Sequence, residues 1–185
     1  MARAVDNQNS NEDERSFARI STAISKYWIT KRAPYLVFEA LECHGGPGYI
    51  EESIMPRLYR EAPLNSIWEG SGNVMCLDVL RALQRDKNAL PALFRELTSA
   101  KGSNKNFDES FSHLKETLQD PIDLEVEARL LTEKMACLIQ ASIFIKSGEE
   151  EIVSAFCNSR LGPRWSGAFG TLPTDTSFEY IMGGL

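Results

Sequence analysis

Three features of the sequence predict an all-α protein, a helical bundle. Apolar residues recur at three- and four-residue spacing through most of the chain, which is the periodicity of an amphipathic helix. Glycines and prolines interrupt this spacing, and strand-like alternation does not persist beyond a few residues. The chain has 185 residues, of which 43% are hydrophobic and 25% charged, so we expect helices packed around an apolar core.

The first long helix is predicted to begin after the polar residues 7–14. Pro34 interrupts its apolar stripe and is expected either to bend or to split the helix, because proline lacks a backbone N–H. Gly45, Gly46 and Gly48 are expected to end it. The residues of the stripe are Phe17, Ile20, Ile24, Trp28, Tyr35, Phe38 and Leu41.

The central part of the chain combines an irregular segment with shorter helices. Residues 45–70 contain three prolines among their glycines, and we predict an ordered loop there. Helical spacing then predicts helices at about 71–83, 90–99 and 107–118, with a turn at 101–106.

The C-terminal part is predicted to hold two more helices. Asp120 and Pro121 form a helix start, an N-cap candidate followed by proline at the first helical position, and Gly148 is expected to stop this helix. Residues 149–161 predict another helix, whereas the tail after Gly162 is predicted to be loop or partly ordered coil. The apolar seam of the longer helix is Leu124, Ala128, Leu131, Met135, Leu138 and Ile145.

Charge and hydropathy argue against two classes of partner. The net charge is −6 without a basic cluster, and nonspecific nucleic-acid affinity depends on lysine and arginine neutralising phosphates, so no nucleic-acid partner is predicted. No uncharged apolar run approaches the roughly 20 residues of a membrane helix, so no membrane partner is predicted either. We expect a soluble, intracellular protein.

Cysteine and histidine usage predicts neither a metal site nor disulfides. The four cysteines are widely spaced, with no CxxC pair, and the chain has only two histidines. Cys76, Cys137 and Cys157 lie in apolar helical patterns and are predicted to be buried, reduced thiols.

Two glycine-rich segments are candidate binding elements, each with an ordinary structural alternative. The GGPGY run at residues 45–49 allows close backbone approach, but taken alone it is more often a helix stop followed by a tight turn. The EGSGN run at 69–73 precedes a predicted helix, whose N-terminus favours an anion. There the alternative is Ser71 or Asn73 as a cap, with Trp68 in the core.

Between these two runs, Arg57, Arg60 and Glu61 are expected to pair with one another as a solvated cluster.

Taken together, the strings ECHGGPGY, YRE and WEGSGN, in this order, resemble the C-terminal, all-helical domain of FAD-dependent acyl-CoA dehydrogenases. The resemblance is strong over residues 17–83 and weaker beyond. The wording EESIMPRLYREAPLNSIWEGSGN is similar to the AidB-like, adaptive alkylation response branch, which also carries an extra helical region. We therefore expect residues 1–87 to form the common bundle, with a truncated first helix. Residues 88–185 are expected to be an additional helical region with a flexible tail.

The resemblance implies a role for each matching residue. Glu69 is the implied general base, which removes the α-proton of an acyl-CoA thioester while a hydride leaves the β-carbon for the flavin. Gly70 is implied to contact the substrate, and Ser71 and Asn73 to contact FAD. Asn73 departs from the commoner glutamine, which shortens its reach.

A second implied FAD contact comes from the end of the first long helix. Glu42, Gly45 and Gly46 match the loop that reaches the FAD of a neighbouring subunit. Position 42 usually holds glutamine in the family, so an amide donor is replaced here by a charged acceptor.

The resemblance also implies that the parent protein is a homotetramer of fatty acid metabolism, cytoplasmic, or mitochondrial or peroxisomal in a eukaryote. The family completes its active site with an N-terminal helical domain and a β-domain that have no counterpart in this sequence. We therefore expect a fragment that binds FAD weakly or not at all and is inactive on its own.

Two alternatives remain open. One is an AidB-like flavoprotein of the alkylation response with DNA association, which the acidic charge argues against. The other is a non-catalytic module for oligomerisation or acyl-chain binding.

Overall fold

The computed structural model describes residues 1–119, 123–163 and 165–183, and this part of the chain is helical without a strand, which confirms the all-α prediction. The helices are α1 (Ala2–Asn7), α2 (Glu12–Cys43), α3 (Gly46–Tyr49), α4 (Met55–Glu61), α5 (Gly72–Arg85), α6 (Ala89–Thr98), α7 (Lys105–Gln119), α8 (Leu124–Ser147), α9 (Glu150–Arg160) and α10 (Phe178–Gly183), with a 3₁₀ turn at Ala62–Ser66.

Helix α2 is continuous over 32 residues. The Asn11 side chain caps it by accepting hydrogen bonds from the backbone N–H groups of Asp13 and Glu14 at 2.9 and 3.2 Å. Pro34 lies inside the helix and does not split it. Helix α2 packs against α5, α6 and α8, and also against α4 and the 3₁₀ turn, which lie beside Pro34.

The core lies where α2 meets α5 to α8. The predicted seam of α8 is confirmed, since its central residues are buried and its two end residues pack at the margin of the core. Aromatic side chains fill the space between α6 and α7, where the Phe94 and Phe111 rings are 5.6 Å apart in an edge-on arrangement. Other fully buried residues are Ile20, Ile24, Val79, Leu93, Leu97, Phe107 and Leu114.

The prediction of a loop over residues 45–70 is wrong, because α3, α4 and the 3₁₀ turn lie in this segment. The prolines that suggested a loop stand in the first turn of each of these three elements. There the missing N–H has no helical partner to lose and the fixed φ suits a helix, so the prolines begin helices and do not interrupt them. The tail prediction also missed α10.

The predicted start of α8 at Asp120 and Pro121 lies outside the described residues. In the described part, α8 begins at Leu124, after Asp123 in a left-handed conformation with φ of 50°. It ends at Gly148, as predicted, and the φ of 79° there is one that glycine adopts without strain.

Cys76, Cys137 and Cys157 are buried and free, which confirms their predicted state, whereas Cys43 is exposed. Burial raises the pKa of the Cys137 thiol to about 12 and that of Cys157 to about 11, so both are protonated at neutral pH.

Within the described ranges, no helix combines the length and apolarity needed to cross a membrane. The same ranges hold no group of three or more His, Cys, Asp or Glu side chains placed to bind a metal ion.

Two consecutive leucines of α8 offer a matched test of this packing. Leu131 is 1% exposed and Leu130 is 49% exposed. We expect Leu131→Ala to lower the free energy of unfolding by about 2–5 kcal/mol, because it leaves a cavity in the core. Leu130→Ala should cost less than about 1 kcal/mol. Urea denaturation followed by circular dichroism measures both, and equal costs would contradict the orientation of α8.

Candidate functional site

A turn between the 3₁₀ segment and α5 carries Glu69 in a strained conformation. Glu69 has φ of 54° and Gly70 has φ of 114°, so two successive residues have positive φ. The ammonium group of Lys26, on α2, donates hydrogen bonds to the carbonyl oxygens of Trp68 and Gly70 at 2.9 and 2.5 Å. The carbonyls on both sides of Glu69 are therefore held by a single cation.

The energies show how this turn is maintained. A left-handed conformation costs a non-glycine residue about 1–2 kcal/mol. A hydrogen bond contributes about 0.5–1.5 kcal/mol net, and Lys26 makes two of them, one exposed and one partly buried. The two bonds to Lys26 are therefore large enough to offset the strain at Glu69. Lys26 was not among the residues that the sequence singled out.

Glycine is favoured at two positions where this turn enters α5, most strongly at Gly70, whose φ of 114° strains any other residue. A Cβ on Gly70 would lie 2.8 Å from the Met75 sulfur, and one on Gly72 would lie 2.5 Å from Cε of Lys31 on α2. Gly72 is buried, so its lack of a side chain lets the first residue of α5 press directly against α2.

The turn faces solvent. Glu69 is exposed, and its neighbours Ile67 and Trp68 are 64% and 57% exposed. The expectation that Trp68 belongs to the core is therefore wrong. Lys26 backs the turn from the side of the bundle, so the backbone faces inward while these side chains point away from the core. Large neighbouring apolar side chains on a surface are typical of a binding or assembly surface.

The start of α5 lacks a side-chain cap. Ser71 occupies the N-cap position, but its hydroxyl makes no capping hydrogen bond in the described part of the chain. Asn73 is not a cap, because it lies inside α5, where its Oδ1 accepts a hydrogen bond from Arg129 Nε of α8 at 2.6 Å. The side chains of Ser71 and Asn73 are exposed. The first N–H groups of α5 are therefore not occupied by the cap side chain.

The GGPGY run ends α2, as predicted. Gly45 has φ of 61°, and a Cβ there would meet no atom within 4 Å. Gly48 is buried, and a Cβ there would overlap the Leu41 carbonyl, so close packing requires a glycine. Glu42, Gly45 and Gly46 are exposed.

The two groups of predicted site residues are not brought together within one chain. Gly72 abuts Lys31, near the middle of α2, whereas Glu42 lies close to the C-terminal end of the same helix. A rise of about 1.5 Å per residue puts roughly 16 Å between Lys31 and Glu42 along the axis. The structure therefore places residues 69–73 against the middle of α2 and residues 42–46 at its C-terminal end.

An open groove of about 590 Å³ runs between α2 and the segment that contains α4 and the 3₁₀ turn. Tyr35, Phe38 and Tyr59 contribute aromatic side chains to its lining, and the rings of Phe38 and Tyr59 are 5.8 Å apart on its two sides. Lys31 and Glu39 supply charge at its wall.

The predicted pairing among Arg57, Arg60 and Glu61, beside the groove, is only partly confirmed. Arg57 pairs with Glu61 at 2.9 Å, as expected. Arg60 instead pairs with Glu51, at 2.6 Å. Because α4 is a helix, Arg57 and Glu61 lie one turn apart on the same face.

Residues 1–84 match the family described as acyl-CoA dehydrogenase, C-terminal domain. The Escherichia coli (strain K12) protein named putative acyl-CoA dehydrogenase AidB is 39% identical over 89% of this chain and 30% of its own length. Acyl-CoA dehydrogenase family member 11 of Caenorhabditis elegans is 34% identical over 86% of this chain and 25% of its own length.

Among solved structures, C. elegans ACDH-11 in complex with C11-CoA is similar at a TM-score of 0.78 and 25% identity, covering 86% of this chain and 32% of that one. The chain thus spans less than a third of the length of each of these three relatives.

Two lysines of α2 test how the turn is held. We expect Lys26→Met to lower the free energy of unfolding by about 1–3 kcal/mol, because two carbonyls lose a charged donor. Peptides spanning 66–72 should also exchange their amide hydrogens faster. Lys31→Met is the control, since Lys31 contacts Gly72 but donates no hydrogen bond to the turn among the described residues. Equal effects of the two variants on the turn would contradict this account.

Proposed function

Because the chain belongs to the acyl-CoA dehydrogenase family, we propose that it supplies the catalytic base for the FAD-dependent α,β-dehydrogenation of an acyl-CoA thioester. The observation that carries this proposal is the turn held by Lys26, which presents the Glu69 carboxylate away from the bundle in a fixed backbone conformation. The residues around this turn supply the other proposed contacts to substrate and cofactor.

Glu69 suits the proposed proton transfer. The thioester carbonyl acidifies the α-proton, and a carboxylate placed against it accepts that proton in the step that forms the double bond. The positive φ of Glu69 and Gly70 bends the backbone sharply, so the side chain stands clear of α5. Gly70 would let the thioester approach the backbone closely, since it has no side chain.

The start of α5 fits a polar part of a cofactor. Its first N–H groups lack a side-chain cap, and the exposed Ser71 and Asn73 side chains add polar atoms beside them. FAD, when bound there, would supply the acceptor for the hydride that leaves the β-carbon. Asn73 is already oriented by Arg129, which leaves its exposed amide N–H₂ free to donate.

The residues at the end of α2 are proposed to act across a subunit boundary. Glu42, Gly45 and Gly46 are exposed and lie roughly 16 Å from the start of α5 along α2, so we assign them to the FAD of a second subunit. A homotetrameric assembly agrees with this assignment. Exposed apolar residues on α2, among them Ile29, Tyr35 and Leu36, provide surface for it.

We propose that the chain by itself has little or no turnover and holds FAD weakly. A carboxylate base of this kind works in a site that excludes water, whereas Glu69 is exposed here. The relatives are much longer than the matched segment, and the walls of the site would come from regions such as those that lie outside the match.

The groove beside α4 supports a second candidate, a module that binds an acyl chain without chemistry. Its volume of about 590 Å³ and its aromatic lining are suited to an extended apolar ligand. The solved relative was crystallised with C11-CoA, an acyl-CoA. If the chain is such a binding module, Glu69→Gln would leave its affinity for acyl-CoA unchanged.

A hybrid protein tests the proposed base. This chain would replace the matching segment of the E. coli relative, and the hybrid would be assayed for bound flavin and for acyl-CoA-dependent dye reduction. We expect the hybrid to retain FAD and to reduce dye with an acyl-CoA panel, and Glu69→Gln to lower the rate by about 10²-fold or more, in line with the loss of a general base.

Glu127→Gln, at an exposed position of α8, is the matched control and should leave the rate unchanged. Flavin retention with equal rates in the hybrid and its Glu69→Gln form would contradict the proposed role and favour the binding module.

A further inference from the structure

The guanidinium group of Arg32, on α2, lies in an aromatic cage formed with the segment after α9. Its Cζ is 4.1 Å from the ring centroid of Phe169 and 5.5 Å from those of Trp28 and Trp165. Nη1 donates a hydrogen bond to the Gly167 carbonyl at 2.6 Å. The rings stabilise the cation through its face and accept no conventional hydrogen bond from its edge. Nη2 is buried without a partner in the described part of the chain.

Arg160, at the end of α9, also has a buried N–H donor without a hydrogen-bond acceptor among the described residues. Its Cζ is 4.5 Å from the centroid of Trp165, so both guanidinium groups lie over one indole ring. The buried donor is its Nη1. Burial, followed by the nearby charge of Arg32, lowers the pKa of Arg160. Two like charges with unpaired donors are thus held close together, an arrangement that a bound anion would relieve.

A cavity of about 190 Å³ lies beside Arg160, between α7, α8 and the residues after α9. Lys134 of α8 adds a second cation to its wall. Glu133 is the acidic residue of the lining, and its Oε1 already accepts a hydrogen bond from Trp165 Nε1 at 2.6 Å. Among the described residues, Arg32 behind Trp165, Arg160 and Lys134 are accompanied by the carboxylate of Glu133, so positive charge is in excess.

We propose that this cavity binds a small oxyanion, a phosphate or a carboxylate. The volume is below the roughly 300–1,000 Å³ of pockets for drug-sized ligands, which favours a compact group. The planar N–H edge of a guanidinium group matches two oxygen atoms of such an anion, and Arg160 lines the cavity together with Lys134. The site is separate from Glu69 and from the groove beside α4, since no residue is shared among them.

Titration calorimetry on the full chain tests the proposal, with inorganic phosphate and acetate as separate probes in the millimolar range. We expect one molar equivalent of at least one probe to bind, and Arg160→Gln to weaken its affinity about ten-fold or more. Tryptophan fluorescence should change on addition of the bound probe, and Trp165→Phe should remove most of that change. Binding of phosphate alone or of acetate alone supports the site and identifies the shape of its ligand.

Two further variants keep the result interpretable. Lys134→Gln, at the wall of the cavity, should weaken binding by a few-fold even if Arg160→Gln does not fold. Arg57→Gln removes an exposed arginine of α4 and should bind the probe like the unmodified chain. The proposal is overturned if neither probe binds, or if Arg160→Gln and Lys134→Gln bind as tightly as the unmodified chain.

Discussion

The burial of one half of α2 is the constraint on which the rest of the structure depends. In its N-terminal half, Phe17, Ile20 and Ile24 are almost fully buried against α5, α6 and α8. In its C-terminal half, Tyr35 and Leu36 are more than half exposed. The helix is therefore anchored at one end and presents a surface at the other. Burying such side chains contributes about 1.5–3 kcal/mol each, which is ample to fix the direction of the whole helix.

The candidate site depends on this anchoring. Lys26 and Lys31 lie where α2 changes from buried to exposed, and they contact the turn at Glu69 and the first residue of α5. The strained conformation of Glu69 is maintained from behind by a helix whose N-terminal half is buried, while the front of the turn faces solvent. This arrangement agrees with our proposal that the segment functions together with other surfaces.

The sequence predicts the long elements well, because periodic burial is written directly in the spacing of apolar residues. The buried seam of α8 was predicted from this spacing, and the ends of α2 and α8 were predicted from the glycines that follow them. Short helices were missed because Pro47 and Pro56 start helices as readily as they end them. Lys26 contacts two residues that lie 42 and 44 positions further along the chain. Arg32, on α2, contacts Gly167, which is 135 positions away. Such long-range contacts cannot be predicted from local sequence patterns. The proposed roles of Glu69 and its neighbours came instead from the resemblance to a family.

We propose that residues 42–46 and 69–73 are two half-sites that this chain alone does not complete. The most direct measurement is the absorbance spectrum of the purified chain after incubation with FAD and desalting. We expect that no flavin band is retained, because the two half-sites lie apart and both face solvent. A band corresponding to one flavin per chain would contradict it, since the chain would then build a complete flavin site from its own residues.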